Sequence, residues 1–356
     1  EIERRLSLMN EMRSLLMLER DFPDGDYPDP APLVAKIRVE GSYLLAAEAD
    51  QLRKALVTVG AIAEFILGRG GARYPRLWEL SRRVTLFPEI VRAIDAILDD
   101  RGEVKDSASP ELQQVRRAIR EREGQAAKRL QQVLQRAKQA GIVDADAVLS
   151  VRDGRPVIPV AAANKRKLQG FIHDESATGR TFYVEPVEVV KVLSTFTESI
   201  RPDAEAIADA GDYLSSVDMI RAKARWALAN DAGKPILSTD DRLELRTARH
   251  PLLQQTLRAQ GREVVPLDLA LDRRKHILVI SGPNAGGKSV CLKTTGLMQY
   301  LFQCGYPVPA SEVSELPVFR SIFIDIGDEQ SIDDDLSTYS SHLRNMKNML
   351  AGASDR

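Results

Sequence analysis

The sequence predicts a multidomain α + α/β chain: a helical first part, a small β-rich module carried on long arms, and a last part with alternating strands and helices. Three observations carry this. Apolar residues recur at helical spacing through the first hundred residues. The pattern changes to that of short strands from about residue 147. "HILVISGPNAGGKSV" (276–290) then sets a glycine-rich loop between an apolar run and a helical one.

The bulk numbers set limits. A chain of 356 residues suggests two or three domains. The 50 Lys+Arg against 51 Asp+Glu give a formal charge of -1. That excludes a nucleic-acid binder that is basic throughout and moves the question to single segments. Aromatics at 5% favour long helices packed with Leu, Ile, Val and Ala over a β-sandwich. Cys291 and Cys304 have no CxxC partner and read as free thiols in a reducing compartment. His173, His250, His276 and His342 are too scattered for a zinc site. No apolar run approaches the ~20 residues of a membrane helix, and no basic-then-apolar leader opens the chain. A cytoplasmic protein without a membrane partner is expected. Both ends, Glu1 and "AGASDR", read as cut from a longer protein.

Ile2, Leu6, Met9, Met12, Leu15 and Leu16 predict a helix over 1–20. "DFPDGDYPDPAP" (21–32) is a connector, and helical patterns resume over 42–67 and 74–98, giving a helical domain at 1–108. Ser109 and Pro110 then supply an N-cap and a first helical position. They open a long basic arm, 109–146, whose helix carries eight Lys/Arg against three acids over 111–140. Its stripe from Leu112 and Val115 to Ala137 is coiled-coil-like. A solvated helix leaning on a partner and an arm approaching nucleic acid both fit. Short strands in "AVLSVRDGRPVIPVAA" and around Gly179 make a β-rich tip, 147–190. There Lys165, Arg166, Lys167 and Arg180 are candidate nucleic-acid contacts, or simply a solubilising cluster. Helices return over 191–235, and an α/β domain follows over 236–356, opened by strand patterns in 238–253 and 264–290.

"GPNAGGKS" fits G-x-x-x-x-G-K-[ST] through Gly282, Gly287, Lys288 and Ser289. Glycines let backbone N–H groups close around phosphate oxygens, and the following helix N-terminus favours negative charge. The candidate ATP-binding residues are Gly282, Pro283, Asn284, Ala285, Gly286, Gly287, Lys288, Ser289 and Val290. Lys288 would neutralise β/γ-phosphate charge and Ser289 would ligate Mg²⁺.

With "TARHPLL" upstream and "LSTYSSHL" downstream, this loop resembles the MutS family. "VKDSASPEL", "GRPVIPV", "HDESATGRTFYVEP", "VVPLDL" and "DIGDEQSIDDDLSTYSSHL" are similar to the bacterial second type of that family, over nearly the whole chain. The resemblance implies a helical lever and core, a clamp at the end of the arms, and an ABC-type P-loop ATPase domain that works as a homodimer. It also implies DNA as partner, specifically branched or repair-related DNA, with suppression of homologous recombination as the outcome. A grip on ribosomes and rRNA fits the same basic clamp. Any endonuclease activity would sit in a further C-terminal domain. By matching motif, Ser337 and Thr338 would complete the partner subunit's phosphate site, and Gln330 falls where such ATPases place a Gln near the metal or the lytic water. Members usually carry an extra charged stretch where Val190 meets Lys191, so either the clamp arm is shortened there or residues are missing, the latter being the favoured reading.

The acidic run "SIFIDIGDEQSIDDDLSTYSSHL" (321–343) admits a plainer reading, in which Asp325 ends an apolar strand and holds the metal of a stand-alone phosphotransferase. The resemblance moves the weight to Ser337 and Thr338. It places the metal-binding aspartate and catalytic glutamate beyond Arg356, so a chain ending there is expected to hydrolyse ATP barely or not at all.

Overall fold

The computed structural model describes residues 1–110, 112–114, 158–161, 170–175, 181–283, 286–325 and 335–353. It divides into two compact units, each discontinuous in sequence. One comprises Glu1–Asp24, Ile62–Arg83 and Ser216–Arg356; the other comprises Gly25–Ala61 and Val84–Ser215. The residues read as one helical domain, 1–108, are divided between the two units. Such grouping is a long-range property that local periodicity does not carry.

The second unit is built on α2 (Ala31–Ile37), the first part of α3 (Ala46–Gly68), α5 (Pro88–Ile97), α6 (Val187–Ile200) and the start of α7 (Ala204–Ala229). Leu33, Ile37, Leu44, Leu52, Ile94, Leu193, Phe196 and Ile207 form one buried apolar cluster. Two polar devices fix its geometry. The buried Thr197 hydroxyl donates to the Leu193 carbonyl at 2.8 Å and accepts the Leu44 N–H at 2.9 Å. Arg201 donates to the carbonyls of Ile37, Val39 and Ser42, satisfying acceptors that the end of α2 leaves open. Ser109 caps the arm as predicted, its Oγ accepting the Leu112 N–H at 3.0 Å. The rest of the arm lies outside the described residues. At the tip, β1 (Ile158–Ala161), β2 (Gly170–Glu175) and β3 (Thr181–Pro186) form an antiparallel sheet in the order β1-β3-β2. The helix after it, α6, begins at Val187 and runs unbroken through Val190 and Lys191.

In the first unit, α1 (Ile2–Leu18) buries Leu6, Met9, Met12 and Leu15 at helical spacing and packs on α4 (Pro75–Ser81). The region read as helical from 74 to 98 is two helices, each opened by a proline at its first position. The Glu11 carboxylate takes the free N–H groups of Arg76 and Leu77 at the start of α4 (2.8 and 2.9 Å). Burial still pushes its carboxyl above the ordinary range, against those bonds. Phe22 meets Phe65 edge-on at 5.5 Å. Arg13 spans from α1 to the Ala232 carbonyl (2.7 Å) and Glu312 (2.5 Å).

A four-stranded sheet completes this unit in the order β4-β7-β5-β6, from β4 (Ile236–Leu237), β5 (Leu243–Ala248), β6 (Leu267–Leu271) and β7 (Glu315–Leu316). β5 runs antiparallel to both neighbours, and β4 is parallel to β7. A bulge interrupts β5 between Leu245 and Ala248. There Thr247 holds φ 50°, a strained value for a β-branched residue. The Asp268 carboxylate anchors it by accepting the Thr247 N–H at 2.8 Å.

Two predicted strands do not form. Residues 276–281 pair with no described strand, and Ile277 and Val279 are 77% and 83% exposed. Residues 321–325 are likewise without a ladder. An apolar run supplies the side chains of a strand, but the strand exists only where a neighbour accepts its N–H and C=O groups.

Candidate functional site

β6 leaves the sheet through a tight turn. Asp272 closes it, its carboxylate accepting the Arg274 and Lys275 N–H groups at 2.7 Å, while Arg273 swings out to Asp241. The chain then runs without regular secondary structure through 276–281 to the glycine-rich loop. That loop ends on Gly287, the N-cap of α9 (Lys288–Gln303), at φ 85°. A side chain is disfavoured there, and glycine adopts the conformation freely. At Gly286 an added Cβ would sit 3.0 Å from the Pro283 carbonyl oxygen, and the Gly286 N–H donates to that same oxygen at 3.1 Å. The loop is therefore folded tightly over its own backbone at the start of a 16-residue helix.

Lys288 sits at the mouth. Its ammonium donates to the Gly282 and Pro283 carbonyls, both at 2.7 Å. Ser289 and Val290 occupy the first turn of α9 and are exposed. These features suit a phosphate group. The loop offers a concave backbone that a side chain would fill, the helix start offers unpaired N–H groups and a favourable dipole, and a cation is already held over the opening. Asn284 and Ala285 lie outside the described residues.

The segment that follows β7 is pinned to α9. The Gln303 side chain both donates to the Phe319 carbonyl (3.0 Å) and accepts the Phe319 N–H (2.8 Å). Gln299 donates to the Pro317 carbonyl at 2.7 Å. The "RHP" element continues β5 through its bulge. The Arg249 N–H donates to the Pro309 carbonyl (2.8 Å), and Pro251 opens α8 (Pro251–Ala259). His250 is half-buried, and its Nδ1 is buried without a hydrogen-bond partner among the described residues. Burial first, and Lys293 of α9 second, hold its imidazole below the usual histidine range.

Ser337 and Thr338 fall in the first turn of α10 (Asp335–Gly352). Gln330, and all four candidate nucleic-acid contacts Lys165, Arg166, Lys167 and Arg180, lie outside the described residues. Asp325 accepts a hydrogen bond from Asn345 of α10 at 3.0 Å. Among the described residues no three His, Cys, Asp or Glu come together as a metal site, and no helix is long and apolar enough to cross a membrane. The strain at Thr247 carries no sequence signal. The helix start at Pro251 was readable in the dipeptide His-Pro.

The structure thus sets a glycine-rich loop at a helix start on a mixed α/β frame. The family model for MutS domain V matches residues 278–356, and nearly the whole chain is similar to relatives named for the MutS family. Its relatives are of the second type. It is 34% identical to Endonuclease MutS2 of Bacillus velezensis over all of this chain and 47% of that protein. It is 36% identical to Endonuclease MutS2 of Thermomicrobium roseum over 95% of this chain and 46% of the relative. It is 37% identical to that of a Geobacillus species over 78% of this chain and 37% of the relative. The chain spans about half the length of the curated relatives it matches.

Proposed function

We propose that this chain is the ATP-binding and DNA-gripping part of a homodimeric clamp, which holds branched or repair-related DNA and thereby suppresses homologous recombination. The observation that carries the reading is the loop at 282–289, with the Lys288 ammonium resting on two carbonyls at the head of α9. Lys288 would turn from those carbonyls to the β/γ-phosphates, and the backbone N–H groups from Gly286 to Ser289 would close around them. The Ser289 hydroxyl would take a place in the shell of Mg²⁺. Bound there, ATP with Mg²⁺ supplies the charge and free energy that close the dimer. Ser337 and Thr338 would reach the γ-phosphate on the partner subunit, so closure needs both copies. The basic arm (109–146) and the Lys165–Lys167 cluster would then lie along the DNA backbone. The nuclease chemistry in the relatives' name is assigned to no residue of this chain.

The test measures DNA binding and dimerisation of the chain with ATP, with ADP and without nucleotide. The reading expects ATP to raise the dimer fraction and to tighten binding to a four-way junction over plain duplex. It also expects Ser337→Ala with Thr338→Ala to remove the ATP effect while leaving nucleotide binding intact. Indifference of dimerisation to ATP would sink it. Co-sedimentation with ribosomes in preference to junction DNA would redirect it to rRNA.

A further inference from the structure

We infer that the α1/α4 face is a second nucleic-acid contact, a groove in which Arg4, Arg76 and Arg83 take the sugar–phosphate backbone. The groove has a volume of about 230 Å³, with Leu8 and Leu80 as its apolar lining and Glu79 as its single carboxylate. It was not among the basic segments singled out in the sequence, because its arginines come from two separate stretches of the chain.

Four features argue for it. The first is charge. Arg4, Arg76, Arg82 and Arg83 stand against Glu1 and Glu79, a local balance of +2 on a chain whose total is -1. Glu79 is already matched by Arg82 and Arg83, which hold its carboxyl down to about 2. The second is availability. Arg76 is exposed and has no ion pair among the described residues, while Arg83 and Arg4, 73% and 56% exposed along their side chains, are paired only with the surface carboxylates of Glu79 and Glu1. The third is a fixed scaffold. Glu11 binds the Arg76 and Leu77 N–H groups, and Leu77 is fully buried beneath, so the backbone is held while the guanidinium faces solvent. The fourth is chemistry. Guanidinium groups match phosphate oxygens two at a time, and an apolar lining between them suits the sugar. Arg82 lies over the Trp78 ring at 5.5 Å, an arginine–aromatic pairing of the kind that lines single-strand channels. An open groove flanked by several arginines fits a repeating polyanion better than one small anion.

This contact is independent of the phosphate loop and of the tip cluster, and the experiment keeps them apart. Binding of the 356-residue chain to a short DNA duplex, a single strand and an RNA strand is measured between about 50 and 200 mM salt. Arg76→Gln with Arg83→Gln should lower the slope of log affinity against log salt by about 1.8 on duplex, or about 1.4 on a single strand, for two phosphate contacts. On duplex that difference is about tenfold in affinity across the same salt range. Arg76→Lys with Arg83→Lys should keep most of the slope, and Glu79→Gln should tighten binding. Unchanged slope and affinity in the Gln pair, with its melting temperature unchanged, overturns the proposal. So does no gain from Glu79→Gln, which decides the matter if the Gln pair folds poorly. Equal competition by polyglutamate also overturns it, in favour of an acidic protein partner. Loss of the tip's role would show instead as unchanged binding when Lys165, Arg166 and Lys167 become Gln. The larger loss among the three probes tells DNA from RNA.

Discussion

Lys288→Ala separates a nucleotide lysine from a structural one. In the chain alone, the ammonium makes two bonds to neutral carbonyls at 2.7 Å. Each is worth about 0.5–1 kcal/mol net. Two bonds to phosphate oxygens are charge-assisted on both sides, at about 1.5–3 kcal/mol each. Exchanging one pair for the other, and allowing for the open position of the loop, leaves about 2 kcal/mol in favour of ATP. Its loss is roughly a 30-fold fall in affinity. The assay is a titration with a fluorescent ATP analogue, paired with thermal melts. At a ligand concentration of 100 times the wild-type Kd, ATP should stabilise the wild type by about 2.7 kcal/mol and the variant by only about 0.9 kcal/mol. Without nucleotide the variant should melt somewhat lower, by no more than the two carbonyl bonds are worth. AMP, which lacks the β- and γ-phosphates, should distinguish them little. Equal ATP affinity in both proteins would refute the reasoning, as would a fall in AMP affinity as large as that for ATP.

Three further outcomes follow from the same geometry. Thr197→Val leaves the buried Leu44 N–H without its acceptor, so chemical denaturation should show a loss of about 1–3 kcal/mol. Thr197→Ser keeps the bond and should lose less. Thr247→Gly removes the strain of a β-branched residue at φ 50°, about 1–2 kcal/mol, and returns part of that through unfolded-state entropy. Its melting temperature should match or exceed that of the wild type, and a clear drop would show that Thr247 contributes contacts that outweigh the strain. His250 is held below its ordinary value of 6.5, so the unfolded chain binds its proton first as pH falls. Its stabilising contribution is present above pH 6.5 and fades as pH drops from there toward the lowered folded value. His250→Gln should flatten that part of the stability–pH curve. A parallel curve in the variant would remove His250 as the cause.

Local signals were the legible ones. The spacing of Leu6, Met9, Met12 and Leu15 gave α1 almost to its ends, and Ser109 capped where Ser-Pro said it would. The glycines of the loop could be read because backbone conformation and close approach leave a mark on residue choice. Pairing left no such mark. Residues 276–281 read as a strand from their side chains alone, yet no described strand receives them. The arginine groove was hidden for a related reason. Arg4 and Arg83 are 79 positions apart in sequence, and only the packing of α1 on α4 makes them neighbours. Asp325 shows the same limit, since its partner Asn345 comes from a helix that no acid-after-strand pattern foretells.

The ion pair between Arg13 and Glu312 joins positions 299 apart in sequence. A ribosome adding about 5–20 residues per second needs roughly 15–60 s to make the second after the first. For that interval α1 has α4 and the rest of 62–83 to pack on, but its unit is completed only by Ser216–Arg356. The unit of Gly25–Ala61 and Val84–Ser215 has all its residues earlier and can close first. During synthesis, then, residues 1–24 wait for residues 216–356 before their unit can close. A truncation or slow-codon stall before residue 216 would leave the apolar stripe of Leu6, Met9, Met12 and Leu15 covered only by residues 62–83, an incomplete unit open to chaperones and proteases.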